Sequence, residues 1–352
     1  LDKKVEPKQD LHTVVGSAAS KTVEEFEKIR HQAHKHMQAR EWHEALTAFN
    51  KLLLDDQEDV DALLGAALAL DRLGDYTKMY GFAQSVAQID PSSALALACK
   101  ARALQKLDRI SEATIANDQA LLLDTNLALA WFNRCGQQLI QNHPEEALRY
   151  ADRALELDPN DARAWCNKAL ALARMNRMYE ALGVVNQSLD LDPDFLLALE
   201  TKGEILRRYA RFDEVIVTMD HALEIAPDDS AALNLMANAL RITGQFDRLL
   251  EITQRLTPLE PESPLAWDLH ISALRGTSRF EEANEVIDHI LEFEPTNVRY
   301  WMFKADNLYR LKRYREAVSV SEQALKTDDE YPPARRIHEK AMRMMYQQKR
   351  KK

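Results

Sequence analysis

Large apolar, small and turn-forming residues recur along the chain at intervals of 34 positions. From residue 26, nine windows stack without insertion or deletion: 26–59, 60–93, 94–127, 128–161, 162–195, 196–229, 230–263, 264–297 and 298–331. The fourth column of the stack reads Ile29, Leu63, Leu97, Trp131, Trp165, Leu199, Leu233, Trp267 and Trp301, all large and apolar. The eighth reads Ala33, Ala67, Ala101, Cys135, Ala169, Gly203, Ala237, Ile271 and Ala305, nearly all small. The eleventh carries Leu70, Leu104, Leu172, Leu206, Leu240, Leu274 and Leu308. Separations of about 4 and 3 residues put these columns on one helix face, where a small residue between two large ones admits a second helix at close range.

A turn column follows, with Gly74, Asp108, Asn142, Asn176, Gly244 and Ser278. Two positions later stands a large residue: Trp42, Tyr76, Met178, Phe212, Phe246, Phe280 or Tyr314. A second helix is predicted next, with Ala45, Ala113, Ala147, Ala181, Ala283 and Ala317 at its contact column. Its end is marked by Pro91, Pro159, Pro193, Pro227, Pro261 and Pro295, one period or a multiple apart. Gln57, Thr125 and Asp329 hold the remaining points of that lattice. A fixed period of this length means one helix–turn–helix unit copied end to end, which argues against an enzyme.

Residues 1–21 form a polar leader expected to be poorly ordered, and Thr22 with Glu25 is a capping box that starts a helix. Beyond 331, Ala334, Ile337, Ala341 and Met344 resume the columns with an offset of two residues, as a lone capping helix over 332–348. A basic tail follows at 349–352, and Glu339 and Arg343 give the cap a polar outer face.

These residues resemble the tetratricopeptide repeat family over 26–331. The window 162–195 carries the pattern well, with Trp165, Ala169, Leu172, Ala181, Leu189 and Pro193. Gln32 and His36 in the first copy, and Thr253 and Thr257 in the seventh, depart from it. The resemblance implies an all-α fold, a right-handed α-solenoid. Its concave groove would be lined by the second, fifth, ninth, twelfth and thirteenth columns and would hold a peptide or helix of a partner protein.

Three sets of groove residues stand out. The fourth copy presents Leu129, Phe132, Gly136, Leu139 and Ile140, expected as an apolar patch on a wet face unless Leu139 and Ile140 pack under the next pair. Arg207, Arg241 and Arg275 share the twelfth column of consecutive copies, with Arg208 and Arg310 beside them. The row either grips anionic groups of an extended ligand or is quenched by Glu204 and Asp268. Asn133 and Asn167 share the sixth column, where some relatives bond a peptide backbone. The two-carboxylate clamp of chaperone-tail receptors falls here on Ala98, Arg102, Asn133, Arg163 and Asn167, and only Asn133 matches outright, with Arg163 a basic stand-in. A conventional receptor of that kind is therefore rejected.

Composition narrows the class. Net charge is -10 with both signs interleaved, which disfavours a general nucleic-acid binder. Cys99, Cys135 and Cys166 are odd in number and lie in predicted helices, so a reducing, cytoplasmic setting is expected. No secretory signal and no run of membrane-spanning length is visible. The start at Leu1 fits a processed product or a segment of something longer. His31, His34, His36 and His43 cluster without a paired Cys or carboxylate constellation, and read as solvated surface. Cys166 lies near Arg163 and Arg174 but has no positioned base. No phosphate-binding loop, dinucleotide fingerprint or hydrolase motif occurs. The reading is a non-enzymatic scaffold without cofactor or metal, its oligomeric state open. The alternatives are a specificity or sensor arm of a larger enzyme, such as a glycosyltransferase or signalling ATPase, and an RNA-binding helical repeat.

Overall fold

The protein is described by a computed structural model over residues 11–351, with side chains described for 23–350. The described residues form helices and turns, without strands. The chain divides after Leu191 into two compact units. In the first, α1 (Leu11–Gln38) pairs with α2 (Trp42–Asp55), α3 (Val60–Leu73) with α4 (Tyr76–Ile89), and α5 (Ala94–Lys106) with α6 (Ile110–Leu123). Then α7 (Ala128–Ile140) pairs with α8 (Pro144–Leu157), and α9 (Ala162–Arg174) with α10 (Met178–Leu191). In the second unit, α11 (Leu196–Arg208) pairs with α12 (Phe212–Ile225), and α13 (Ser230–Thr243) with α14 (Phe246–Leu259). They are followed by α15 (Pro264–Gly276) with α16 (Phe280–Phe293), α17 (Val298–Arg310) with α18 (Tyr314–Thr327), and α19 (Pro332–Lys351).

The turn inside each pair is one residue in the left-handed conformation. Arg40, Gly74, Asp108, Asn142, Asn176, Ala210, Gly244, Ser278 and Lys312 all have positive φ, between 55° and 78°. The residue after each sends its amide back to the eleventh column, as in Arg109 to the Leu104 carbonyl at 2.9 Å and Gln245 to Leu240 at 2.9 Å. This closes the helix end and swings the chain into the second helix. Asp59, Ser93, Asp161, Asp229, Ser263 and Asn297 cap the following first helices through their side chains.

The first helix of each pair buries two faces. The eighth-column residues Ala33, Ala67, Cys135, Ala169, Ala237 and Ala305 are fully buried, facing the second helix as expected. The opposite face is also closed. Ala62, Ala96, Ala130, Ala164, Ala198, Ala232 and Ala266 share the third column and lie at most 2% exposed. Ala130 packs on Leu97 and Ala120 of the preceding pair, and Cys99 and Ala103 pack on Leu70 and Met79. The expected two-residue offset in the cap is absent. Pro332 stands one period after Val298, so Ala334 falls in this third column and is fully buried.

The lattice proline has a second role besides ending a helix. The indole Nε1 of Trp165, Trp267 and Trp301 donates to the carbonyls of Pro159, Pro261 and Pro295 at 2.8–2.9 Å. Trp131 does the same to Thr125 at 2.9 Å, and Arg335 Nε donates to Asp329 at 2.6 Å. A backbone carbonyl serves whatever the side chain, so Thr125 and Asp329 complete the lattice.

The expected leader overlaps α1, which begins at Leu11, so the Thr22–Glu25 capping box falls inside a helix. Residues 1–10 lie outside the described residues. No described helix is long and apolar enough to cross a membrane. Ala210 holds a positive φ of 55° with its side chain exposed. Ala210→Gly relieves that strain at some cost in unfolded-state entropy. It is expected to stabilise the protein by about 0.5–1 kcal/mol, read from urea unfolding.

Candidate functional site

The predicted groove columns differ between the two units. In the first unit they are occupied by the chain's own charges. Asp71, in the last turn of α3, is 6% exposed. Its Oδ1 accepts from Arg102 Nε of α5 at 3.0 Å, and its Oδ2 from Arg163 Nη1 of α9, 92 residues away. Arg163 also makes two bonds to Asp161, at 3.1 and 3.2 Å, and Arg72 reaches Asp161 at 3.8 Å. The Phe132 ring lies beneath both guanidiniums, 4.8 Å from Arg102 and 4.8 Å from Arg163. Burial pushes the Asp71 and Asp161 carboxyls up, yet their arginine neighbours outweigh it and hold both below the ordinary carboxylate range. The clamp columns thus grip an internal carboxylate, that of Asp71.

The apolar patch expected in the fourth copy is therefore not a wet surface. Phe132 is 4% and Leu139 6% exposed, and Leu129 is half-buried; Ile140 alone of these apolar side chains is exposed, at 60%. Leu139 packs with Cys135, Ala147, Ala151 and Ala171. Asn133 is buried and donates to the Ala98 carbonyl at 2.9 Å and to Asn117 Oδ1 at 3.1 Å, so it bonds its own chain. Asn167 is half-buried beside Cys135, whose thiol burial pushes up to about 12 against the Asn167 hydrogen bond. Cys166, expected on the groove, is fully buried, and Arg174 donates to the Leu139 carbonyl. His34 and His36 bond Asp61 and Glu41.

The second unit keeps an open basin. Arg241, Arg275 and Arg310 line a cavity of about 570 Å³ with Phe246, Phe280 and Phe303. Arg275 meets Asp306 at 2.6 Å and Arg310 meets the same carboxylate oxygen at 3.0 Å. Arg241 is exposed and makes no ion pair among the described residues. Burial and Arg310 hold the Arg275 guanidinium below its ordinary value despite Asp306. Aromatic rings back the charges: Phe303 lies 4.5 Å from Arg275, and Phe280 5.6 Å from Arg310. Phe246 sits against Gly276, where a Cβ would fall inside its ring, so glycine there leaves room for the floor. Ser272 and Ser278 add hydroxyls.

The rest of the arginine row is quenched. Arg207 makes two bonds to Glu204 at 2.7 Å, and Arg208 bonds it at 3.0 Å. Asp268 does not neutralise Arg275 as the sequence suggested, since it pairs with Arg299 at 2.7 Å. Asp306, the actual partner, lies 31 residues beyond Arg275 in the next pair, a distance at which a one-helix charge pattern gives no signal.

Models of the tetratricopeptide repeat family match residues 31–94, 139–194 and 298–331. With the helix-pair period and the fold, these matches make the chain a tetratricopeptide-repeat protein. Among solved structures it is similar to PilF of Pseudomonas aeruginosa, at 21% identity and a TM-score of 0.51, over 60% of this chain and 96% of that one. It is also similar to YrrB, described as a TPR protein with an unusual peptide-binding site, at 23% identity, TM-score 0.36, over 53% and 96%. A third, MamA from residue 41 onward of Desulfovibrio magneticus RS-1, gives 24% identity and TM-score 0.44, over 48% and 96%. No curated protein matches the chain.

The buried network gives a stability prediction. A carboxylate whose pKa falls on folding adds stability that is complete above its unfolded pKa, about 3.9, and lost as pH drops through the lower folded value. Asp71→Asn leaves two guanidiniums under-compensated and is expected to destabilise by about 3–5 kcal/mol at neutral pH. It is also expected to flatten the loss of stability below about pH 4. Denaturant unfolding of both proteins across pH checks both effects.

Proposed function

We propose that the protein is a non-enzymatic interaction scaffold whose second unit grips an acidic segment of a partner protein in the Arg241–Arg275–Arg310 basin. The observation that carries this reading is a charge imbalance: of the three guanidiniums lining the basin, Arg275 and Arg310 share one carboxylate, Asp306, and Arg241 makes no ion pair among the described residues. Such a cluster recognises carboxylates through directional, charge-assisted bonds. The phenylalanine floor supplies apolar contact for the stems of an acidic peptide, and a helical-repeat fold supports protein partners as a class. Leu129, Phe132, Asn133, Leu139, Arg163 and Asn167 belong to the first unit's packing under this reading, and Arg207 and Arg208 to a surface ion cluster with Glu204. Buried cysteines that form no disulfide among the described residues fit a reducing cytoplasmic setting.

Arg241 is exposed, so its replacement leaves packing intact. Arg241→Ala is expected to weaken binding of a Glu/Asp-rich peptide by roughly 3- to 10-fold, and Arg241→Glu by more, with melting unchanged. Raising salt weakens the wild type in the same direction. Calorimetric titration measures this. Peptide affinity indifferent to Arg241→Glu sinks the proposal, and low-salt capture of RNA in place of peptide replaces it with a nucleic-acid role.

A further inference from the structure

A second recess in the same unit has the opposite character. Trp267, His289, Phe293 and Tyr300 line a cavity of about 420 Å³ together with Glu262 and Glu294. None of its lining residues belongs to the arginine basin, and no Lys or Arg lines it.

The rings stand at steep angles. His289 lies 6.4 Å from Trp267 at 68° and 5.3 Å from Phe293 at 84°. The Trp267 indole N–H is already donated to the Pro261 carbonyl at 2.8 Å. What Trp267 has left to offer a ligand is therefore ring surface. Phe293 is 75% exposed at the last position of α16. Most of its ring is therefore open to a ligand entering the recess.

The carboxylates lack counter-charges. Glu262 makes no ion pair among the described residues, and Glu294 accepts the Asn297 amide at 2.8 Å but meets no cation. Aromatic rings set around a space, with uncompensated negative charge beside them, attract a cation through both ring quadrupoles and charge. The volume accommodates a long aliphatic stem as well as its head group.

We propose that this recess is an aromatic cage that takes the ammonium end of a lysine side chain, methylated or not, from a partner protein. The site is independent of the arginine basin, and either can fail while the other stands.

The test titrates the full chain with Nα-acetyl-lysine methylamide, its Nε-trimethyl form, and an uncharged isostere carrying a tert-butyl head. The five tryptophan indole N–H resonances are followed by NMR, with Trp267 assigned by Trp267→Phe. Saturable shifts centred on Trp267 are expected from both cations. The isostere should bind roughly 5-fold or more weakly than the trimethyl form. Phe293→Ala, at an exposed position, should weaken the trimethyl form by a similar factor with melting unchanged, and Glu262→Gln with Glu294→Gln should weaken both cations. Tighter trimethyl than unmodified binding identifies a methyl-lysine cage, and equal binding a plain lysine site. Equal affinity for the isostere, shifts that bypass Trp267, or no saturation overturns the proposal.

Discussion

Close approach of helices is the constraint on which this structure depends. Within each unit, a first helix that follows another pair is packed on both sides, against its own second helix and against the pair before it. Two backbones can come near on both flanks only if the side chains between them are short. Alanine answers at the third, eighth and tenth columns, with Ala62, Ala67 and Ala69 in one copy and Ala232, Ala237 and Ala239 in another, all fully buried. Interiors pack to crystal density, so a methylene added at any of these positions has nowhere to go. Where a larger residue does occur, as Ile271 in the eighth column, it still lies only 1% exposed.

Much of this was legible from sequence because it is local. The large–small–large face, the turn column and the closing proline are fixed by residues within one helix pair, and a repeat displays each of them many times over. The left-handed turn could be read from Gly74 and Asn142, although Ala210 and Lys312 adopt it without a favourable side chain. The second buried face escaped the pattern because alanine fills so many columns that its third-column run gave no contrast. The lattice also carried more than a helix stop. Where a tryptophan or arginine stands six residues on, it donates to the lattice carbonyl, and after Thr125 and Asp329 it does so without a proline.

The groove was the least legible part. Exposure in a solenoid depends on how strongly the stack curves, and curvature belongs to no single copy. Phe132 belongs to a column expected to face solvent and is buried among Ala154, Leu155 and Ala164, with Arg102 and Arg163 over its ring. Asp71 is one aspartate in a variable column and carries no signal in the sequence, yet it anchors both of those arginines. The arginine row divided in the same way. Arg207 was quenched within its own helix, as sequence allowed, whereas the residue that partly neutralises Arg275 came from the next pair. Charge balance across helices decides which basic residues remain for a ligand.

The link from Asp71 to Arg163 has a consequence for how the first unit comes apart. Repeat arrays ordinarily unfold as a sum of independent units and nearest-neighbour interfaces. Here the second copy is bonded to the fifth, 92 residues away, in addition to the contacts between adjacent copies. That adds a coupling between copies that are not neighbours. Copies two to five are tied into one cooperative block, unable to fray a repeat at a time without exposing a buried charge. A truncation within that block would remove one end of the tie, so the shortest stable fragment of the first unit is set by an ion pair rather than by a repeat boundary.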